Sequence, residues 1–341
     1  MRCLAVVVCL VTGFVLLCAS TFAADKAGGD EAKVPLGLKP VPVPADNPQT
    51  AAKVELGKQL FFDPRMSGDN TVSCATCHDP KQGWSNGAPI ATGIRSQKGG
   101  RSAPTIINAA YQEFQFWDGR ALKLEGQALG PIQNPIEMEM KLDELIPKLN
   151  KIEGYRKQFR AVFGSDATPA AVAKALAAFE RTVLSGDAPY DRFKAGDKTS
   201  LSDAAQRGMT VFFNKAQCSA CHAGPNFSDG AFHNVGVGMA KPEPDLGRFA
   251  ETKQAGDRGA FRTPTLREIA RTAPYMHDGS QKTLADVIDF YDKGGHANPQ
   301  LDEEIFPLKL TAEQKADLVT FLQAGLSSAS YPNIAPPKMP E

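Results

Sequence analysis

The sequence predicts an all-α protein made of two similar halves, and three observations carry that expectation. Apolar residues recur at helical spacing, while alternating β-type runs are nearly absent. The pentapeptide Cys-x-x-Cys-His occurs twice, as Cys74-Ala75-Thr76-Cys77-His78 and Cys218-Ser219-Ala220-Cys221-His222. The surroundings of the two copies repeat in one order, which is the mark of an internal duplication. Gly57-Lys58-Gln59-Leu60-Phe61-Phe62-Asp63 precedes the first copy, and Gly208-Met209-Thr210-Val211-Phe212-Phe213-Asn214 precedes the second. Downstream, Pro104-Thr105 leads to Asp118-Gly119, and Pro264-Thr265 leads to Asp278-Gly279, both at an interval of 14 residues. Leu124 and Leu284 each fall six residues after that Asp.

In chain order, residues 1–23 read as a secretory signal: Arg2, an apolar run from Leu4 to Leu17, and Thr21-Phe22-Ala23 for cleavage. The run is short and interrupted by Thr12-Gly13, so it does not predict a permanent membrane span. Leu17 is too bulky to make Cys18 a lipoprotein acceptor. Residues 24–49 hold Pro35, Pro40, Pro42, Pro44 and Pro48 and predict an extended lead-in. Residues 50–197 form the first expected domain. Within it Thr168-Pro169 caps and starts a helix carrying Val172, Leu176, Phe179 and Val183. The small polar run Ala195 to Ser200 marks the boundary. Residues 198–326 form the second domain, with a capping box at Thr311-x-x-Gln314, then Leu318, Phe321 and Leu322, and Gly325 as the stop. Residues 327–341 are a proline-rich tail expected over the surface. Zero formal net charge without a basic run excludes a general nucleic-acid binder, and no second apolar stretch predicts a membrane span in the mature chain.

The two pentapeptides carry the chemistry. Two thiols spaced this way form thioethers to a macrocycle and the adjoining His ligates its iron, so two covalent haem c groups are expected. A bare Cys-x-x-Cys could instead serve half a zinc site or a redox dithiol, but neither needs the following His. Of seven cysteines, Cys3, Cys9 and Cys18 lie in the signal, and the other four are Cys74, Cys77, Cys218 and Cys221. Export fits this reading, because c-type haem is attached after secretion. Using the repeat as a ruler, Trp117 falls opposite His277, and Pro131 falls opposite Tyr291. Proline cannot ligate iron and a phenol can, so the first iron is expected open and the second closed by Tyr291. The competing reading of Tyr291 is an ordinary aromatic in the helix Val287-Ile288-Asp289-Phe290-Tyr291. Arg101 and Arg262 precede the Pro-Thr units and are candidates to pair with haem propionates.

The chain resembles the bacterial di-haem cytochrome c peroxidase superfamily, including its MauG branch, over about residues 50 to 326. The resemblance rests on both haem motifs and on Phe116-Trp117-Asp118-Gly119-Arg120, Gln127-Ala128-Leu129-Gly130-Pro131-Ile132-Gln133, Ile136-Glu137-Met138 and Thr272-Ala273-Pro274-Tyr275-Met276-His277-Asp278-Gly279. It implies two cytochrome-c-like haem domains with a calcium ion near their interface. It implies His78 as proximal ligand of a peroxidatic haem, Glu137 as acid–base catalyst, Gln127 beside it, and Trp117 as a relay between haems. His222 would be the proximal ligand of the second haem. Better-known members carry a Met as sixth ligand there; this chain has Tyr291, as in the MauG branch, with Met276 and Met239 as rivals. Many members rest with a distal His on the first iron. Here the matching position is Ile94, and no His lies between the two motifs. Of the five His, His233, His277 and His296 are expected as structural residues. Calcium ligands would be Thr272 and Pro274, with Ser102 where the family has Asn. The implied partners are hydrogen peroxide and a small periplasmic electron-donor protein or a protein substrate, in the periplasm, with a homodimer admitted. The alternatives are a conventional cytochrome c peroxidase fed by a cytochrome or cupredoxin, and a non-catalytic di-haem electron carrier.

Overall fold

The computed structural model describes residues 34–341; the expected signal segment and the start of the lead-in lie outside the described residues. The first half holds α1 (Ala51–Phe62), α2 (Cys74–Cys77), α3 (Lys123–Gln127), α4 (Gly130–Gln133), α5 (Leu142–Lys151), α6 (Glu153–Phe163), α7 (Pro169–Glu180) and α8 (Pro189–Lys194). The second holds α9 (Asp203–Phe213), α10 (Phe249–Thr252), α11 (Leu284–Asp292) and α12 (Ala312–Thr320). The strands are two-residue antiparallel pairs: β1 (Phe114–Gln115) with β2 (Ala121–Leu122), and β3 (Phe232–His233) with β4 (Phe261–Arg262). Helix starts follow the predicted caps. The Thr168 hydroxyl accepts from Ala171 N, and Thr311 and Gln314 form the expected reciprocal box.

Each half is built on one close helix crossing. α1 packs on α7 at Gly57, where an added Cβ would lie 1.9 Å from the Ala175 carbonyl oxygen. α9 packs on α12 at Gly208, where a Cβ would lie 2.0 Å from the Asp317 carbonyl oxygen. These glycines occupy matching places in the repeated segments, and each permits a backbone approach that any side chain would block. Around the crossings lie two separate cores. One contains Phe61, Trp84 and Phe179, and the other Phe212, Phe227 and Phe321. The halves are joined by a fully buried bidentate pair, Arg267 with Asp191, at 2.7 and 2.9 Å.

The loops repeat as closely as the helices. Non-glycine residues with positive φ occur at Trp84 and Phe227 (+57° and +49°), at Asn108 and Glu268 (+57° and +59°), and at Phe116 and Met276 (+66° and +71°). The last two pairs stand four and 12 residues after Pro104 and Pro264. Side chains rarely adopt this conformation, so paired occurrences mean that both halves impose the same turns.

The two proline-rich ends, expected as an extended lead-in and a surface tail, make defined contacts with the rest of the molecule. In the lead-in, Leu36 and Pro42 carbonyls accept from Asp187 N and Arg181 Nε. The tail leaves the second half and crosses onto the first, where Tyr331, Ile334 and Met339 pack against the first core. Among the described residues no helix is long and apolar enough to cross a membrane.

Candidate functional site

Both pentapeptides adopt one tight helical turn. His78 N bonds Cys74 O and His222 N bonds Cys218 O, each at 2.9 Å, which gathers the two thiols and the imidazole of each motif. The ring Nδ1 of His78 faces the Trp84 carbonyl at 3.2 Å, and that of His222 faces the Phe227 carbonyl at 3.0 Å. A carbonyl only accepts, so Nδ1 carries the proton and the Nε2 lone pair is left free. Burial also lowers both histidine pKa values, favouring the neutral ring. A neutral imidazole anchored through Nδ1–H is the form that ligates iron. The rival readings lose support. Burial pushes the Cys77 thiol up to about 11 and Cys218 up to about 12, opposite to a reactive dithiol. Among the described residues the one cluster within ligand reach is Cys221, Asp229 and His233, which is not a four-ligand zinc set.

Thr105 and Thr265 brace the two motif loops in the same way. Their hydroxyls donate to Gly83 O (2.6 Å) and Asn226 O (2.7 Å), the residues just before the two histidine-anchoring carbonyls. The second motif opens on a largely apolar cavity of about 230 Å³. His222, Tyr291 of α11 and Met276 all line it, so both candidate sixth ligands reach the same space. Burial raises the Tyr291 phenol above its ordinary pKa. Met239 does not line this cavity.

Arg262 lines the cavity too and is 6% exposed. Among the described residues its guanidinium donates only to the carbonyls of Phe116 (3.2 Å) and Thr263 (3.3 Å), and burial lowers its pKa to about 10. A buried guanidinium without a carboxylate partner calls for an anion, and a haem propionate supplies one, so these residues fit the expected group. Arg101 differs from this. It is spent on Asp118 (2.6 Å) and Asp245 (2.6 and 2.9 Å), and it does not line the cavity. By backbone contacts the partner of Arg262 in the repeat is Ser102, one residue further on.

Around the first motif, Glu137 lies in a turn organised by Asn134, whose carbonyl accepts from the amides of Glu137, Met138 and Glu139. Asn134 Nδ2 also donates to Glu137 Oε1 at 2.7 Å. Burial raises the Glu137 pKa, against opposing pulls from Arg120 and Asn134. Cys77 Sγ lies 3.8 Å from the Thr92 carbonyl, two residues before Ile94, which puts Glu137 on the side of this motif. Ile94 is fully buried, and its amide donates to the Glu137 carbonyl at 2.8 Å. The position expected for a distal His is thus adjacent to Glu137 and filled by an aliphatic chain. Gln127 ends α3 and is half-buried. Sequence reasoning missed three residues here. The Asn134-x-x-Glu137 spacing, a local side-chain bond, was a signal for the first. Trp84 and Glu180 gave none. Glu180 is 7% exposed, its carboxyl makes no hydrogen bond among the described residues, and burial pushes its pKa up to about 8.

Between the halves, the Trp117 ring meets His277 edge-on at 6.4 Å, and His277 stacks on Phe261 at 3.7 Å. Trp117 Nε1 donates to Ser102 O at 2.9 Å. Thr272, Pro274 and Ser102, the expected calcium positions, all border the cavity but bring only neutral oxygens. The Ser102 hydroxyl donates to Met276 O, the Thr272 hydroxyl to Ile269 O, and no cluster of acidic groups forms there among the described residues. This is a poor donor set for a hard divalent cation. His233 is held by Asp302 and Asp229 at 2.6 and 2.9 Å, and His296 packs edge-on against Phe290.

Comparison with known proteins places this geometry. A family model described as di-haem cytochrome c peroxidase matches residues 51–199. The chain is 42% identical to the methylamine utilization protein MauG of Methylorubrum extorquens, over 94% of this chain and 92% of that protein. It is 40% identical to the cytochrome-c peroxidase IdrP1 of Denitromonas iodatirespirans, over 89% of each. The crystal structure of a MauG-like protein associated with microbial copper homeostasis superposes with a TM-score of 0.83 at 34% identity, covering 90% of this chain and 99% of that one.

Proposed function

The chain belongs to the di-haem cytochrome c peroxidase family, and from that premise we propose a periplasmic two-haem enzyme that reduces hydrogen peroxide at its first haem and shares the oxidation with its second. Its two halves are read as duplicated cytochrome-c-like domains. It is an oxidoreductase acting on peroxide: two electrons and two protons convert hydrogen peroxide to two waters, the electrons coming from a small donor protein or from a protein substrate that is oxidised in turn.

Bound haem supplies the iron that takes peroxide and holds the oxidising equivalents. The chain supplies the rest. Cys74 and Cys77 would hold the first macrocycle and His78 Nε2 its iron. Pro131 and Ile94 offer that iron no ligand atom. Glu137, steadied by Asn134, accepts a proton from one peroxide oxygen and returns it to the departing one. Gln127 lines the same side. Cys218, Cys221 and His222 would hold the second haem, Arg262 would receive a propionate, and Tyr291, with Met276 as the alternative, would supply the remaining ligand to its iron. Trp117 joins the two sites.

The observation that carries this reading is the asymmetry of matching positions. By the repeat, Pro131 of the first half corresponds to Tyr291 of the second, and Tyr291 lines the cavity of the second motif. The test is the EPR spectrum of the resting ferric holoprotein before and after peroxide. One high-spin and one low-spin haem, both lost on peroxide addition, is expected, and Tyr291→Phe should alter only the low-spin signal. Two low-spin haems inert to peroxide would leave the electron-carrier reading. Rapid peroxide-dependent oxidation of a reduced cytochrome c would assign the conventional peroxidase role.

A further inference from the structure

The residue that orients His78 is itself held from the far end of the chain. Trp84 is fully buried and sits between two bonds. Its carbonyl accepts from His78 Nδ1 at 3.2 Å, and its indole Nε1 donates to the Pro332 carbonyl at 2.8 Å. The neighbouring Tyr331 hydroxyl bonds the Pro80 carbonyl in the same loop, and the Arg271 guanidinium, from the second half, lies 4.3 Å over the Tyr331 ring. Further along, Pro340 O accepts from Arg65 at 3.0 Å and Glu341 O from Gly154 N at 2.8 Å. The fit is close enough that a Cβ on Gly154 would lie 2.6 Å from the Pro340 Cβ. The second half has no counterpart. Phe227 takes the place of Trp84 beneath His222, and a phenyl ring has no donor to tether.

We propose that residues 331–341 are a positioning strap for the proximal side of the first haem, acting through Trp84 on His78. The inference rests on the assignment of His78 as an iron ligand made above. The bond to an imidazole Nδ1–H sets the basicity of the ligating nitrogen, and its acceptor is commonly as important as the ligand itself. A strap on that acceptor fixes ring orientation and bond strength at one iron only, and it links that iron to the half of the molecule that carries the other. Tyr331 and Trp84 are thus positioning residues and touch no reactant.

The experiment uses the holoprotein in three forms: truncated before Tyr331, Trp84→Phe, and both together. The readout is the iron–histidine stretching band of the reduced first haem, with the low-spin EPR signal of the second as internal control. Each single change should shift the band to lower frequency and slow the first haem's reaction with peroxide several-fold. The double change should go no further than the larger single one, because both remove one tether. The second haem's signal should not move. An unchanged band in Trp84→Phe overturns the inference, even if stability falls, and this variant decides the matter should the truncated chain fail to fold. Absence of any iron–histidine band in the parent protein would instead overturn the underlying assignment of His78.

Discussion

Glu137 combines a charge-disfavouring setting with a fixed orientation. Burial pushes its pKa above the ordinary Glu range, while Asn134 holds one oxygen and Arg120 adds a modest opposing charge. A group that takes a proton from peroxide and gives it back works best with a pKa raised toward the working pH. Glu137→Gln should therefore lower peroxide turnover by about 10²- to 10⁴-fold, the usual worth of general acid–base catalysis, while both haems remain attached. The sign of the pH effect follows from the base role. Wild-type turnover should fall as pH drops through the raised Glu137 pKa, because the protonated carboxyl cannot accept. The Gln variant should lose that acid limb, which steady-state rates from acid to neutral pH would show. Glu137 was expected because its spacing from Trp117 and Gln127 matches the family pattern; on the residues alone it read as a solvated acid. Trp84 and Glu180 were not, since what an indole N–H or a buried carboxyl meets depends on segments about a whole domain away.

At the scale of elements, the two helix crossings are the structure's tightest constraint that sequence alone could locate. The segments beginning at Gly57 and Gly208 were matched by pattern, and the coordinates give the reason for glycine: a carbonyl oxygen stands where a Cβ would be. Gly57→Ala or Gly208→Ala gains up to about 1 kcal/mol of helix propensity. The same change forces two backbones apart, and overpacking of this kind costs about 1–3 kcal/mol or more. Both variants should therefore denature at lower temperature. Gly126→Ala is the contrast: in α3 with nothing within 4 Å, it should be neutral or slightly stabilising. Thermal denaturation of the three holoproteins orders them. The caps at Thr168 and Thr311 were readable because capping is local. The two-residue strands and the docking of both proline-rich ends were not, because neither has a period and each is decided by its tertiary partner.

At the scale of the molecule, the repeat becomes a symmetry. Arg262 N donates to Trp117 O, and Ser102 N donates to His277 O, both at 2.8 Å. The side chains repeat the exchange: Arg262 Nε donates to Phe116 O at 3.2 Å, and the Ser102 hydroxyl to Met276 O at 3.1 Å. Residue i of one half contacts residue j of the other, and the reverse holds, as in a two-fold dimer folded into one chain. The sequence aligned Trp117 with His277; it could not show that aligned residues meet, because a repeat fixes correspondence and not docking. Their meeting is the route a relay through Trp117 would take. The indole touches His277 edge-on, His277 lies flat on Phe261, and all three rings line the second cavity. Trp117→Phe keeps an aromatic in place but removes the Nε1 bond to Ser102 O and the more easily oxidised ring. If this contact carries the oxidation between halves, the resting spectra of both haems should be unchanged in the variant. After peroxide, the high-spin signal should vanish while the low-spin signal persists, where the parent loses both. Simultaneous loss of both signals in Trp117→Phe would place the path elsewhere, because the reciprocal backbone bonds would then suffice to couple the two sites without the indole.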